Sequence, residues 1–94
     1  VELLNSRAIK QFIQLHAEAE APLNDWVTKV RAAQWKSNAD VQRNFNRADH
    51  LGDQKFIFNI GGNNFRMAAM VRIENEKVYV LKLMTNSEYD RVKF

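Results

Sequence analysis

The 94-residue sequence contains no cysteine, one proline and three glycines, and it has no long apolar run. The absence of cysteine excludes disulfide bridges and thiolate metal sites. A membrane-spanning helix needs about 18 or more apolar residues in succession, so we expect no insertion into a membrane. The first residues also lack the basic-then-apolar pattern of a secretory signal, and we therefore expect a cytoplasmic protein.

The composition that remains is typical of a small globular domain. Hydrophobic residues make up 46% of the chain and charged residues 27%, a balance that argues against extended disorder. The length allows one modest core, so residues 1–94 are predicted to form a single domain. Fourteen Lys and Arg against eleven Asp and Glu give a net charge of +3, which weakly favours an anionic partner.

The first half of the chain has the residue spacing of amphipathic helices. Apolar side chains recur at intervals of three and four residues from Ser6 to Glu20, and a second run follows Pro22. Proline is well suited to the first turn of this second helix. A third, short helix is predicted over Asn38–Asn44, with Ser37 before it as a cap. We expect a helical hairpin followed by a short helix.

The second half changes to the two-residue period of β-strands, over residues 55–60, 65–73 and 78–84. The segment Gly61-Gly62-Asn63-Asn64 has strong turn chemistry between the first two. We expect an α+β fold in which the helices pack on a three-stranded antiparallel sheet. Simple alternation predicts that Tyr79, Leu81 and Leu83 face the helices.

The opposite face of the predicted sheet is basic and partly apolar. Its polar positions are Lys55, Asn59, Arg66, Arg72 and Lys82. From residue 55 onward there are seven Lys and Arg and four Asp and Glu, so this half carries a charge of +3. Such a face suits a phosphodiester backbone with bases lying against it. A solvated strand face without a ligand is the alternative, because Lys and Arg are common there.

Five short motifs follow one another along nearly the whole chain. They are Ser6-Arg7-Ala8-Ile9-Lys10-Gln11-Phe12, Trp35-Lys36-Ser37-Asn38-Ala39-Asp40, Phe45-Asn46-Arg47-Ala48-Asp49, Phe58-Asn59-Ile60-Gly61-Gly62-Asn63-Asn64-Phe65-Arg66 and Thr85-Asn86-Ser87-Glu88-Tyr89-Asp90. Their order and spacing resemble those of the HigB toxins, which are RelE-like toxins of type II toxin–antitoxin modules.

The resemblance implies a RelE-like fold and a cytoplasmic bacterial toxin that cuts mRNA in the ribosomal A site without metal or other cofactor. In that reaction the 2′-hydroxyl attacks the adjacent phosphate and leaves a 2′,3′-cyclic phosphate and a 5′-hydroxyl. The implied partners are the 70S ribosome with its mRNA and a cognate antitoxin, a HigA-like helix-turn-helix protein. Operator DNA would be contacted only through the toxin–antitoxin complex.

The implied catalytic residues are Arg66, Tyr89, Asn86 and Asp90. Cleavage needs a proton acceptor, a proton donor and cations that hold the charge on phosphorus. Arg66 suits the last role, since a guanidinium can bind two phosphate oxygens; the alternative is a structural ion pair with Glu88 or Asp90. Tyr89 either transfers a proton or pins the C-terminal segment onto the sheet.

The predicted RNA-binding residues are Lys55, Lys82, Arg72, Asn59 and His50. For the lysines, a solvated surface role is equally compatible with the sequence. His50 either replaces a missing base, if its loop folds over the basic face, or lies on the surface. No metal site is predicted, because two histidines far apart in the chain, without a carboxylate motif, do not form one.

The chain departs from the HigB pattern at Asn86, where the family has a histidine, and at Ser87, where it has a basic residue. Asparagine can orient a phosphate or a water molecule but cannot transfer a proton. The alternative function is therefore a weakened or inactive toxin homologue that binds the antitoxin and acts as co-repressor. A RelE-like fold with another target, as in the ParE toxins that act on gyrase, is a third hypothesis.

Overall fold

The computed structural model describes residues 1–62 and 64–91. Its elements are, in chain order, β1 (Glu2–Leu4), α1 (Arg7–Leu15), α2 (Glu20–Ala32), α3 (Asn38–Asn44), β2 (Asp49–His50), β3 (Lys55–Ile60), β4 (Phe65–Arg72), β5 (Lys77–Thr85) and α4 (Asn86–Arg91). Short 3₁₀ turns cover Ala17–Ala19 and Ile73–Asn75. No helix within the described residues has the length and apolar character needed to cross a membrane.

The helical half agrees with the sequence pattern in all but one boundary. The helix α3 has the predicted bounds, and Pro22 lies in the first turn of α2, as proposed. The first predicted helix, however, is not continuous from Ser6 to Glu20. It ends at Leu15, and His16 leaves the helical conformation before the 3₁₀ turn begins. Because the apolar spacing continues through the 3₁₀ turn, the sequence pattern does not reveal where the first helix ends.

The described strands form one sheet in the order β1-β5-β4-β3-β2. The three central strands pair in antiparallel fashion, as predicted from their alternation. The prediction of a three-stranded sheet was wrong, because two short edge strands extend it. The strand β1 pairs in parallel with β5, and β2 pairs in antiparallel fashion with β3. The α+β class is confirmed, with a mixed sheet rather than a purely antiparallel one.

The main core lies between the helices and one face of the sheet, which we call the covered face and define by Phe58, Met67 and Val80. Its helical members are fully or nearly fully buried: Ile9, Phe12, Ala19, Leu23, Trp26, Val30 and Val41. Trp26 contacts Phe58 edge to face, with ring centroids 5.4 Å apart. Burial of these large side chains supplies most of the stabilisation that holds the sheet in place.

A β-bulge in β5 overturns the predicted orientation of its first half. Ala68 pairs with Lys82 and Ala69 with Val80, so β5 contains one extra residue at Leu81. Val78 and Val80 are therefore buried against the helices, whereas Tyr79 and Leu81 are exposed on the other side. The prediction that Tyr79 and Leu81 face the core was wrong, and only Leu83 packs there.

The second face of the sheet, which we call the open face, is defined by Asn59, Arg66 and Lys82. It has a small buried cluster of its own, formed by Ile57, Ala68 and Met84. Tyr89 of α4 packs against this cluster. The last described helix therefore lies on the side of the sheet opposite the other helices, beside the basic residues.

Candidate active site

Arg66 and Asn59 occupy directly opposed positions on β4 and β3, and both side chains belong to the open face. Side chains at such positions lie roughly 4.5–5.5 Å apart at their Cβ atoms. Met84 follows in register on β5, and its burial makes an apolar floor beside Arg66. The alternation of two paired strands is what brings a guanidinium and an amide side by side.

The Arg66 guanidinium lies over the ring of Tyr89, with its Cζ 5.6 Å from the ring centroid. This distance is within the range of a cation–π contact. One guanidinium nitrogen, Nη1, donates a hydrogen bond to the carbonyl of Phe65 at 3.2 Å. Both side chains are partly buried, so the contact fixes them while leaving part of each surface accessible.

The helix α4 is held in position by a reciprocal cap. The backbone N–H of Thr85 donates to Glu88 Oε1 at 2.8 Å, and the backbone N–H of Glu88 donates to Thr85 Oγ1 at 3.2 Å. This is a capping box, which satisfies two N-terminal donors of the helix. The Asn86 N–H donates to the carbonyl of Asn64 at 3.0 Å, which ties the helix to the β3–β4 turn.

The same cap lowers the pKa of Glu88 below its usual value. The backbone hydrogen bond from Thr85 is the main cause, and the nearby charges of His16 and Lys82 contribute. Glu88 is thus a capping group rather than a partner for Arg66. Within residues 1–62 and 64–91, Arg66 forms no ion pair with Glu88 or Asp90, so the structural alternative for this arginine finds no support there.

Asn86 and Asp90 lie on the same short helix as Tyr89. Asn86 is the first residue of α4, and both Tyr89 and Asp90 follow it by one turn. Side chains three and four residues apart are neighbours on a helix, so Asn86 adjoins both. Asn86 and Asp90 are exposed. Arg66 and Tyr89 therefore meet at one end of the open face, and Asn86 and Asp90 lie on the helix that carries Tyr89.

The predicted RNA-binding residues divide into two groups. Lys82 faces Ala68 on the open face, two positions along β4 from Arg66, and Asn59 is directly opposite Arg66. Lys55 and Arg72 share this face but lie farther away, with Arg72 about 20 Å from Arg66 along the strand. The open face thus carries cations along its length, and the candidate site is at one end.

His50 is not brought to the open face. Its ring stacks on Phe56, with centroids 4.5 Å apart, and its Nε2 is 3.0 Å from the carbonyl oxygen of Asp53. Phe56 belongs to the core on the covered face. The placement therefore separates His50 from Arg66 and Tyr89, and it does not support the expectation that this histidine replaces a missing base.

Thr85 and Glu88 were not predicted as functional residues, and they orient the candidate site without belonging to it. The available signal was the pattern Thr85-x-x-Glu88, a threonine followed three residues later by a glutamate, which is typical of a helix start. Tyr79 was assigned to the core because a bulge cannot be read from alternation. Taken together, the site offers a cation, a phenol and two amides beside a small apolar cluster.

The chain is similar to known proteins over most of its length. A family model described as HigB_toxin, a RelE-like toxic component of a toxin-antitoxin system, matches residues 19–92. The mRNA interferase toxin HigB of Escherichia coli (strain K12) is 27% identical over 92 residues, which cover 96% of this chain and 88% of the relative. Proteins named mRNA interferase HigB from Escherichia coli O157:H7 and Shigella flexneri match with the same identity and coverage. The chain belongs to the HigB family of RelE-like toxins.

Proposed function

We propose that this chain is the toxin of a type II toxin–antitoxin module and that it cleaves mRNA bound to the ribosome. The observation that carries the proposal is the pairing of Arg66 with Tyr89 on the open face, with Asn59 directly opposite the arginine. A guanidinium suits a phosphate, and a phenol is able to exchange a proton. The names of the curated relatives, which are called mRNA interferases, support RNA as the substrate.

The proposed reaction uses the 2′-hydroxyl of the RNA as its nucleophile and requires no metal. The 2′-oxygen forms a bond to the adjacent phosphorus while the bond to the 5′-oxygen breaks. The products are a 2′,3′-cyclic phosphate and a 5′-hydroxyl. Arg66 would bind the non-bridging oxygens, where negative charge accumulates in the transition state, and Lys82 would add a second positive charge nearby. Asn59 can donate its amide N–H to the same phosphate.

Two protons must move in this reaction. One leaves the attacking 2′-hydroxyl and another reaches the departing 5′-oxygen. Tyr89 is our candidate for one of these transfers, because its ring is fixed by Arg66 and by the cluster of Ile57, Ala68 and Met84. Asp90 follows Tyr89 directly on the same helix, and it is the adjacent carboxylate that takes no part in the cap. We assign Asn86 an orienting role toward the phosphate or a water molecule.

The exposure of the site is consistent with help from the ribosome. The polar residues named above are exposed or half-buried, so a flexible RNA strand would not be positioned by them alone. We propose that the 70S ribosome presents the mRNA in the geometry that cleavage needs. The same family assignment supports a cognate HigA-like antitoxin as partner and a cytoplasmic location, with operator DNA bound through the antitoxin.

The test is primer extension on cellular mRNA after induction of this chain without an antitoxin. We expect translation-dependent cuts, and we expect Arg66→Ala to reduce them by about 10²-fold or more, because a transition-state charge contact is lost. The matched control is Arg31→Ala, which removes an exposed arginine from α2 on the covered side of the sheet. Equal loss of cutting in both variants would contradict a specific role for Arg66.

A weakened toxin that serves as an antitoxin-binding co-repressor is the second candidate function, and Asn86 is the observation that favours it. The residue occupies the first position of α4, one turn before Tyr89, where a proton-transferring side chain would be useful. Absence of cuts and of growth arrest from folded protein, together with retained antitoxin binding, would support this second candidate over cleavage.

A further inference from the structure

The open face carries a second feature that the proposed cleavage site does not use. A groove lies at the far end of this face, lined by Leu4, Met70, Arg72, Lys77, Tyr79 and Leu81. Tyr79 and Leu81 are large apolar side chains that remain 46% and 41% exposed. An exposed tyrosine beside an exposed leucine, in a groove with a mainly apolar floor, points to a ligand surface rather than to a solvated strand.

The groove is flanked by positive charge. Arg72 and Lys77 are directly opposed on β4 and β5, and Lys55 is opposed to Met70 on β3. Glu2 is the register neighbour of Lys77 on β1, and Glu76 precedes Lys77 in the chain. Within the described residues neither carboxylate forms an ion pair with Lys77. Cations therefore outnumber carboxylates around an aromatic ring, a combination typical of single-stranded nucleic-acid sites.

The groove is continuous with the proposed cleavage site along the strand β4. Arg66, Ala68, Met70 and Arg72 alternate on the same face, so the distance from Arg66 to Met70 is about 13 Å along the strand. Lys82 lies between the two regions on β5. A strand of RNA whose phosphate is held at Arg66 would therefore pass over this groove if it followed the sheet in this direction.

We propose that the groove is a second nucleotide subsite, in which a base of the same RNA strand stacks on Tyr79 and the backbone phosphates contact Arg72 and Lys77. This inference rests on the proposed function, because the RNA strand reaches the groove from the cleavage site. Charge complementarity and continuity of the surface favour RNA over a protein segment. The subsite adds affinity away from the reacting phosphate and takes no part in the bond-breaking step.

The test is binding of uncleavable, fluorescently labelled 2′-O-methyl RNA in two lengths. The short oligonucleotide reaches only the Arg66 end, and the long one spans both ends of the open face. We expect Tyr79→Ala to weaken binding of the long RNA by about 5- to 150-fold, the usual range for loss of one base–aromatic stack. Binding of the short RNA should be unchanged. Tyr79→Phe keeps the ring and should bind the long RNA as the wild type does.

The charge contacts are tested in the same assay by salt titration. We expect Arg72→Gln and Lys77→Gln each to lower the slope of log affinity against log salt by roughly one, because each removes one phosphate contact. Arg31→Gln on α2 makes the same change in net charge away from the groove and should leave the slope unaltered. Circular dichroism would confirm that each variant is folded.

The outcomes separate this inference from the proposed function. If Tyr79→Ala binds the long RNA as the wild type does, the subsite is overturned, whether or not Arg66→Ala abolishes cleavage. If Tyr79→Ala instead weakens only the antitoxin complex, the groove is a protein-docking surface and the inference is also overturned. If Tyr79→Ala weakens RNA binding while Arg66→Ala still cuts, the subsite stands and the assignment of the cleavage site fails.

Discussion

At the scale of single residues, position 86 bears on how the proposed reaction would move its protons. The amide of Asn86 lies one helical turn before both Tyr89 and Asp90, yet an amide cannot accept and release a proton at neutral pH. An imidazole at this position would be next to a phenol and to a carboxylate able to orient it. The position is therefore suited to a proton shuttle, a role that the amide of Asn86 cannot fill.

We expect Asn86→His to increase the rate of mRNA cleavage by about 10²-fold, the lower end of what general acid–base catalysis contributes. Asn86→Gln is the control, since it changes the length of the side chain but keeps an amide that cannot transfer protons. The measurement is the cleavage rate on mRNA bound to purified ribosomes. Equal cleavage rates for the wild type and the two variants would show that residue 86 takes no part in the reaction.

The face of the sheet on which a residue lies was predictable where a motif and the alternation of a strand agreed. Arg66 and Asn59 were both predicted on the basic face, and the structure places them opposite one another. The position of His50 was not predictable, because it depends on which side of a two-residue strand faces the core. The pairing of His50 with Phe56 places the histidine on the covered face. The sequence around His50 has no periodicity from which this pairing could be predicted.

At the scale of elements, the helix α4 depends on the ionised carboxylate of Glu88. The pKa of Glu88 is lowered in the folded chain, chiefly by the hydrogen bond from the Thr85 backbone. A lowered folded pKa means that the charged form stabilises the fold at pH values above the usual value of 4.5. This stabilisation is lost as the pH falls through the folded pKa, because the protonated carboxyl accepts the hydrogen bond less well.

We therefore expect the amide protons of α4 to lose protection against hydrogen exchange when the pH is lowered below about 4.5, before the central strands do. Glu88→Gln keeps a carbonyl acceptor for Thr85 at every pH and should remove most of this pH dependence. Every other carboxylate is the same in both proteins, so the difference between them isolates Glu88. An identical decrease in protection in the two proteins would show that the cap is not the titrating element.

Thr85→Ala removes the other half of the cap and should destabilise α4 by about 1 kcal/mol, the usual cost of losing an N-cap side chain. The same hydrogen-exchange measurement reports it, at neutral pH. Thr28→Ala is a matched control, because the Thr28 hydroxyl donates to the Asn24 carbonyl within α2 and caps no helix start. Equal protection of α4 in wild type and Thr85→Ala would contradict the role assigned to the hydroxyl.

Elements were predictable in proportion to their length and regularity. The helix α3 and the three central strands were anticipated nearly to the residue, because each has its own periodicity. The strands β1 and β2 have three and two residues and were missed. Their pairing is a long-range property: Glu2 pairs with Lys77, which lies at the other end of the chain. No local pattern contains that information.

At the scale of the whole molecule, the two faces of the sheet have different tasks. Among the described residues, the covered face holds most of the large buried side chains of the sheet, and the open face holds Arg66, Lys82 and the rings of Tyr79 and Tyr89. Stability and the proposed recognition of RNA therefore depend on largely separate sets of residues. This separation is why substitutions such as Tyr79→Ala are expected to change binding without unfolding the protein.

The two tryptophans of the core provide a test of its energetics. Both are almost completely buried, but the Trp35 Nε1–H donates to Asn44 Oδ1 at 2.8 Å, whereas the Trp26 Nε1–H finds no acceptor among the described residues. A buried unpaired donor costs about 1–3 kcal/mol. Trp26→Phe removes that cost along with part of the packing, and Trp35→Phe loses a hydrogen bond.

We expect Trp26→Phe to lower the free energy of unfolding by less than Trp35→Phe does, with a difference of about 1 kcal/mol or more. Urea unfolding followed by circular dichroism measures both. Trp26→Ala should cost about 3–5 kcal/mol, which confirms that the ring itself is needed. A larger loss for Trp26→Phe than for Trp35→Phe would mean that the N–H of Trp26 is satisfied within the core.

The bulge at Leu81 has a consequence for how the gene tolerates change in length. The strand β5 has one residue, Leu81, more than regular pairing with β4 requires. On either side of it, Val80 lies on the covered face and Lys82 on the open face. Loss of the codon for Leu81 in frame would leave every other side chain of β5 on its present face. Insertion of one further codon could not be absorbed by the bulge in this way. It would invert one half of the strand, turning either Val80 outward or Met84 toward the helices.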